Sequence, residues 1–338
     1  MATIRSPLAS PSPAGATLPS LACRALAGAV SLSHLRKRLS ILIYHRVLPQ
    51  PDPLFPAEPD ALRFDQQLGY LKQAFNIIPL GEAVRGLRHN CLPPRAACIT
   101  FDDGYADNAE VALPILKLHG VSACFFVATG FLNGGRMWND TVIELVRHAP
   151  DHIDLDSLKL GQFTLDSIPK RQAAIAALLG ALKYLPPDAR QAQVDAIGAL
   201  LGVAVRRDLM MSDEQVRRLH RAGMEIGGHT VNHPIVARLP PSAARTEIAD
   251  GKYALEQLLG EPIRLFAYPN GKPGQDYQAE HVAMVRGMGF EAAVSTAWGA
   301  ARSGSDLFQL PRFTPWDRTP LRFTLRMMRN LARNGETV

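Results

Sequence analysis

A chain of 338 residues, 47% of them apolar, is long enough for one large core or two ordinary ones and has the composition of a soluble globular protein. Its net charge of +6 is unevenly placed: six basic residues and no acid precede Asp52, and beyond them Lys and Arg balance Asp and Glu. The folded part is therefore about neutral, which argues against the basic face that a nucleic-acid-binding domain carries.

The four cysteines, Cys23, Cys91, Cys98 and Cys124, show no C-x-x-C spacing, and nothing in them demands an oxidising compartment. The most apolar early stretch, "LPSLACRALAGAVSLSHL", is broken by Arg24 and makes a poor membrane span and a poor leader peptide. The expectation is a cytoplasmic protein, or one touching a membrane surface through its basic arm.

In chain order, residues 1–38 are rich in Pro, Ser and Ala and read as a flexible basic arm. Strands are expected at 40–45, 75–79, 97–101, 122–128, 224–228, 263–269 and 291–296, with helices at 60–74, 108–120 and 242–260 between them. Strands alternating with helices imply βαβ units and a parallel sheet. Their number and their near-continuous apolar character favour a distorted (β/α)7-8 barrel of the α/β class over 39–318. Residues 139 to about 212 break the rhythm and read as a helical insertion without a good strand. The tail, 319–338, reads as one helix that docks through Leu321, Leu325, Met328 and Ala332 and leaves Arg322, Arg326, Arg329 and Arg333 in solvent.

The chemistry concentrates at the carboxyl ends of two predicted strands, where parallel barrels place their functional residues. "CITFDDGYADN" ends a strand with Asp102 and Asp103 side by side, followed by Gly104 and Tyr105. Taken alone, it also fits a polar turn. "MEIGGHTVNHP" places His229 and His233 four residues apart just after another strand, on what reads as a short helical turn where both imidazoles can face one way. Two imidazoles at that spacing with one carboxylate form a usual catalytic zinc set with a position open to water. Adjacent carboxylates then have a purpose, since one can hold the cation while its neighbour takes a proton from the water.

"TFDDGYADN" and "HTVNH" resemble the first two signature motifs of the polysaccharide deacetylases, the NodB-homology carbohydrate esterases. The resemblance runs over roughly residues 40–318, with the motifs in the family's order. It implies a distorted barrel that removes acetyl groups from N-acetylated sugars. It makes Asp102 the general base and Asp103, His229 and His233 the ligands of a divalent metal, zinc before cobalt, nickel or iron. Where many members have Arg-Pro-Pro-Tyr-Gly this chain has "AYPNG", with Ala267 in the arginine's place and the Asn270 backbone N–H where the oxyanion donor falls. Arg312 in "LPRF" is the candidate to replace that arginine beside Asp102. The family's late acid histidine has no clear counterpart. Instead, "ILIYHRV" resembles the early Tyr-His of the poly-N-acetylglucosamine deacetylase branch, which makes His45 the acid candidate. Tyr105 and Trp138 are candidate sugar contacts, and Trp138 equally fits a packing role.

Three readings stay open at this point: a glycan N-deacetylase, an O-acetyl glycan esterase on the same site, and an inactive glycan-binding barrel. The altered third motif motivates the last, and the complete set of base and metal ligands speaks against it.

Overall fold

The computed structural model describes residues 37–315, 317 and 319–338. The expected arm lies almost wholly outside these residues, and Cys23 with it.

The strands are β1 (Arg38–Tyr44), β2 (Asn76–Ile77), β3 (Ala96–Phe101), β4 (Cys124–Val127), β5 (His152–Asp154), β6 (Gln162–Thr164), β7 (Glu225–Gly228), β8 (Leu265–Ala267), β9 (Ala292–Val294) and β10 (Ala301–Arg302). The helices are α1 (Ala61–Ala74), α2 (Leu80–Arg88), α3 (Leu113–His119), α4 (Trp138–His148), α5 (Ile168–Leu182), α6 (Pro187–Leu201), α7 (Asp213–Arg221), α8 (Pro241–Leu259), α9 (Ala279–Gly287) and α10 (Pro320–Leu331). A single π-helical turn, Asn108–Ala112, leads into α3.

The main sheet follows the path β10-β1-β3-β4-β7-β8-β9, with β2 paired to β3 off that path. All its pairings are parallel except β10 on β1. The sheet curls until its ends are bridged by residues 310–313, where Leu310 pairs with Val294 of β9 and Phe313 with Leu42 of β1. Backbone hydrogen bonds make this seam: Leu310 N–H donates to Ala293 (2.9 Å) and Phe313 N–H to Ile41 (2.8 Å).

Alternation along each strand decides what faces inward. On β3, Ala97, Ile99 and Phe101 pack against the outer helices, while Ala96 and Cys98 join Leu39, Ile41, Cys124, Phe126 and Val294 in a separate cluster completed by Leu80, Val84 and Leu87 of α2. The same alternation carries Thr100 and then Asp102 to the side where Arg312 lies.

The insertion is more than helical. Between α4 and α5 it holds an antiparallel pair, β5 with β6, which the sequence reading of the region as strandless missed because each strand is only three residues long. Its helices share a core of their own, including Val142, Leu145, Ile175, Leu178, Val194 and Ile197.

The terminal helix corrects a second expectation. It docks on α1 and β1 through Phe323, Met327 and Leu331, all buried, and leaves Leu321 and Leu325 exposed. Two apolar stripes lie on this helix at helical spacing, and packing against the barrel selects the one that periodicity alone did not.

Candidate active site

The carboxyl ends of β1, β3, β7, β8 and β9 converge on a cleft of about 360 Å³ lined by His45, Asp102, Asp103, His229, His233 and Asn270, among others. The two aspartates separate because the chain turns sharply between them. Asp102 continues the strand direction, its N–H donating to the Tyr44 carbonyl of β1 at 3.0 Å. Asp103 adopts a left-handed backbone (φ 78°) and Gly104 follows at φ 91°, a conformation that disfavours any side chain.

Asp102 is buried and held in a two-pronged ion pair, with Arg312 Nη1 and Nη2 each donating to one carboxylate oxygen at 2.6 Å. Arg312, itself fully buried, also donates from Nε to the Ser295 carbonyl (2.9 Å) and from Nη1 to Thr100 Oγ1 (3.2 Å). Burial pushes the Asp102 pKa up, but the Arg312 guanidinium, with His229 and His45 adding to it, holds the carboxyl below its ordinary value. Asp102 thus receives its arginine from the barrel's closing seam.

Asp103 Oδ1 lies 3.4 Å from His229 Nε2 and 3.3 Å from His233 Nε2. This oxygen is buried and accepts no hydrogen bond from the described residues, an arrangement that costs free energy unless a cation completes it. His229 Nδ1 lies 2.7 Å from the Ala267 carbonyl, which can only accept; Nδ1 therefore carries a proton, and in the neutral ring Nε2 presents its lone pair toward Asp103. Against the cost of burial, Asp102 and Asp103 raise the His229 pKa, while burial prevails at His233 and brings it down to about 4. One carboxylate and two imidazole nitrogens within 4.8 Å of one another fit a zinc-like divalent ion.

The turn carrying the histidines is not the helical turn expected but a strained loop, with Thr230 (φ 67°) and His233 (φ 51°) both left-handed. It is held by α8. Glu247 accepts from the backbone N–H of Val231 (3.0 Å) and Asn232 (2.8 Å), and Thr230 Oγ1 accepts from the His233 N–H (3.1 Å). Glu247 has no local sequence signal, since its partners lie half a helix and a loop away.

His45 stands exposed at the rim, just past β1. Its carbonyl accepts from Asn108 Nδ2 (2.9 Å), and Asp107 accepts from Arg46 Nε (2.8 Å) and the Val47 N–H (3.2 Å). The tail of "DDGYADN" therefore fixes the loop that presents His45. Asn270, left-handed at φ 59°, lines the same cleft, and its carbonyl accepts from Thr296 Oγ1 (2.7 Å).

The insertion forms the opposite wall through Asp140, Ile143, Glu144 and Arg147 of α4. Arg147 ties it to the loop after β1 by pairing with Asp52 (2.6 Å). The Tyr105 hydroxyl lies 3.1 Å from both carboxylate oxygens of Asp140, so this tyrosine is engaged within the wall. Burial, with the charge of Asp103 adding to it, raises Asp140 to about 7. Trp138 lies one step aside, lining a second cavity of about 290 Å³ shared with Asp103, His233 and Asn270, with the Arg190 guanidinium 4.9 Å from its ring centre. It also packs on the insertion core, as the alternative reading of that residue had it.

The family model described as polysaccharide deacetylase matches residues 89–187 and 164–293 of the chain. The Bacillus subtilis (strain 168) protein YxkH, which carries the same family name, is 20% identical over 277 residues, covering 81% of this chain and 70% of its own length. Among solved structures, the Streptococcus pyogenes deacetylase PplD in complex with acetate superposes with a TM-score of 0.58 at 21% identity, over 87% of this chain and 99% of that one. IcaB from Ammonifex degensii does so with a TM-score of 0.57, also at 21% identity, over 85% and 97%. At such identities the superpositions speak for the fold, which is that of the NodB-type deacetylases. The extent of the family match, together with the fold, establishes that this chain belongs to the polysaccharide deacetylases, hydrolases that act on acetylated glycans.

Proposed function

We propose that the chain is a metal-dependent N-deacetylase of a polysaccharide or oligosaccharide. The observation that carries this reading is the buried, unpartnered Asp103 Oδ1 facing His229 Nε2 and His233 Nε2, beside a second carboxylate with its own arginine. A divalent ion held by Asp103, His229 and His233, zinc before cobalt, nickel or iron, supplies Lewis-acid polarisation of the acetyl carbonyl and makes a water easier to deprotonate.

The protein's own groups do the rest. Asp102, kept ionised by Arg312, takes the proton of the attacking water. The Asn270 N–H donates to the oxygen that gains charge as the tetrahedral intermediate forms. His45 protonates the departing nitrogen, because an amine does not leave as an anion. Acetate and a free amino sugar result. The position of His45 just past β1 keeps the Tyr-His pattern of the poly-N-acetylglucosamine branch, and the fold likeness to IcaB supports that direction.

An ester substrate departs as an alkoxide and needs the acid less. His45→Ala should therefore lower acetate release from N-acetylated oligosaccharides on the order of 100-fold or more, and should have much less effect on an O-acetylated glycan or aryl acetate. Equal losses on both would remove His45 from the acid role. Faster turnover by the wild type on O-acetylated than on N-acetylated glycans would favour the esterase reading. For residence we propose the cytoplasm or a membrane face; no described helix is long and apolar enough to cross a bilayer.

A further inference from the structure

The outer face of α10 belongs to neither the barrel core nor the cleft. Phe323, Met327 and Leu331 are buried against the barrel, yet Leu321 remains 58% exposed and Leu325 39% exposed. From Pro320 to Gly335 the chain carries Arg322, Arg326, Arg329 and Arg333 and no acidic residue; Arg326 is paired with Asp317 just before the helix, which leaves Arg322, Arg329 and Arg333 as the charges this face offers. The arginines recur at intervals of three or four, so they form a row alongside the exposed leucines. A groove of about 330 Å³ runs between this row and Trp298, whose ring is 40% exposed. The face is anchored as well as exposed: Asn330 Nδ2 donates to the Gly299 carbonyl (2.9 Å), and the Ala300 N–H donates to the Arg333 carbonyl (3.1 Å).

We propose that this face docks the protein on an anionic lipid bilayer, with Leu321, Leu325 and Trp298 entering the interface and Arg322, Arg329 and Arg333 meeting the headgroup phosphates. Charge selects the occupant. The chain's own residues 1–36 carry Arg5, Arg24 and Arg36 without an acid, so they repel this face, and a second copy would set arginines against arginines. A soluble polyanion would use the arginines but leave the leucines and the indole in water. A bilayer surface uses both, as amphipathic interfacial helices do. This assignment does not rest on the reading of the cleft.

The test is co-sedimentation of the full chain with vesicles of phosphatidylcholine alone and of phosphatidylcholine with phosphatidylglycerol. Wild type should bind the anionic vesicles and release them in high salt. Arg322→Gln with Arg329→Gln should weaken partitioning on the order of 30-fold, at about a factor of five per charge near the surface. Leu321→Ser with Leu325→Ser should weaken it as well, and both variants should keep wild-type circular dichroism and acetate release from soluble oligosaccharide. No binding by wild type, or equal binding by wild type and both variants, would overturn the proposal. So would heparin-like binding that the arginine variant loses and the leucine variant keeps, which would mark a polyanion site.

Discussion

At the residue scale the account turns on two adjacent carboxylates with different partners. Asp102 has an arginine and Asp103 faces two imidazoles, and the left-handed turn at Asp103 keeps these environments apart. Asp102→Asn keeps the shape and removes the base. Turnover should fall on the order of 100- to 10,000-fold while metal content stays near that of the wild type. Kinetics and elemental analysis on one preparation check both halves. The residues themselves were legible, because "DDG" and H-x-x-x-H each follow an apolar strand pattern, but the left-handed turn that aims the histidines was not. The Arg312 clamp was legible only as a candidate, since 210 residues separate it from Asp102 and nothing local ties the two. The Tyr105–Asp140 contact was not legible, because tertiary packing alone turns that hydroxyl into the wall.

At the element scale the histidine turn depends on how closely α8 approaches it. A Cβ at Gly251 would lie 2.7 Å from the Thr230 carbonyl carbon, a backbone atom that cannot step aside cheaply. Gly251→Ala should push the turn outward, and Glu247→Ala should leave the N–H groups of Val231 and Asn232 without their carboxylate. Each should weaken metal affinity on the order of 10- to 100-fold, read by competition with a chromogenic chelator. Unchanged affinity in both would show that the turn holds its shape without α8. The sequence showed α8 at nearly its observed bounds through its apolar periodicity. Which of its faces meets the histidine turn is a packing fact that periodicity does not contain.

At the scale of the whole molecule, the residues that close the barrel also hold the base. The seam at 310–313 bridges β9 and β1 and delivers Arg312 into the interior. Arg312→Met leaves a buried carboxylate without its counter-charge, and the metal-free protein should lose about 3–5 kcal/mol in urea unfolding. The sign with pH follows from the depressed Asp102 pKa. The wild type has this contribution in full above about pH 4 and loses it as pH falls, whereas the variant should lack it across that range. The barrel class was readable from alternating strand and helix patterns. Which residues close it was not, because residues 310–313 form isolated bridges rather than a strand with a pattern of its own. The docking face of α10 was hidden for a related reason, since two apolar stripes satisfied the same spacing.

The most direct test of the metal centre is the metal content of the purified full chain, measured beside its acetate-releasing activity before and after chelation. The account predicts about one divalent ion per chain, activity lost on stripping and restored by zinc or cobalt, and neither bound ion nor activity in Asp103→Asn. A chain that releases acetate at its full rate when free of metal would contradict it.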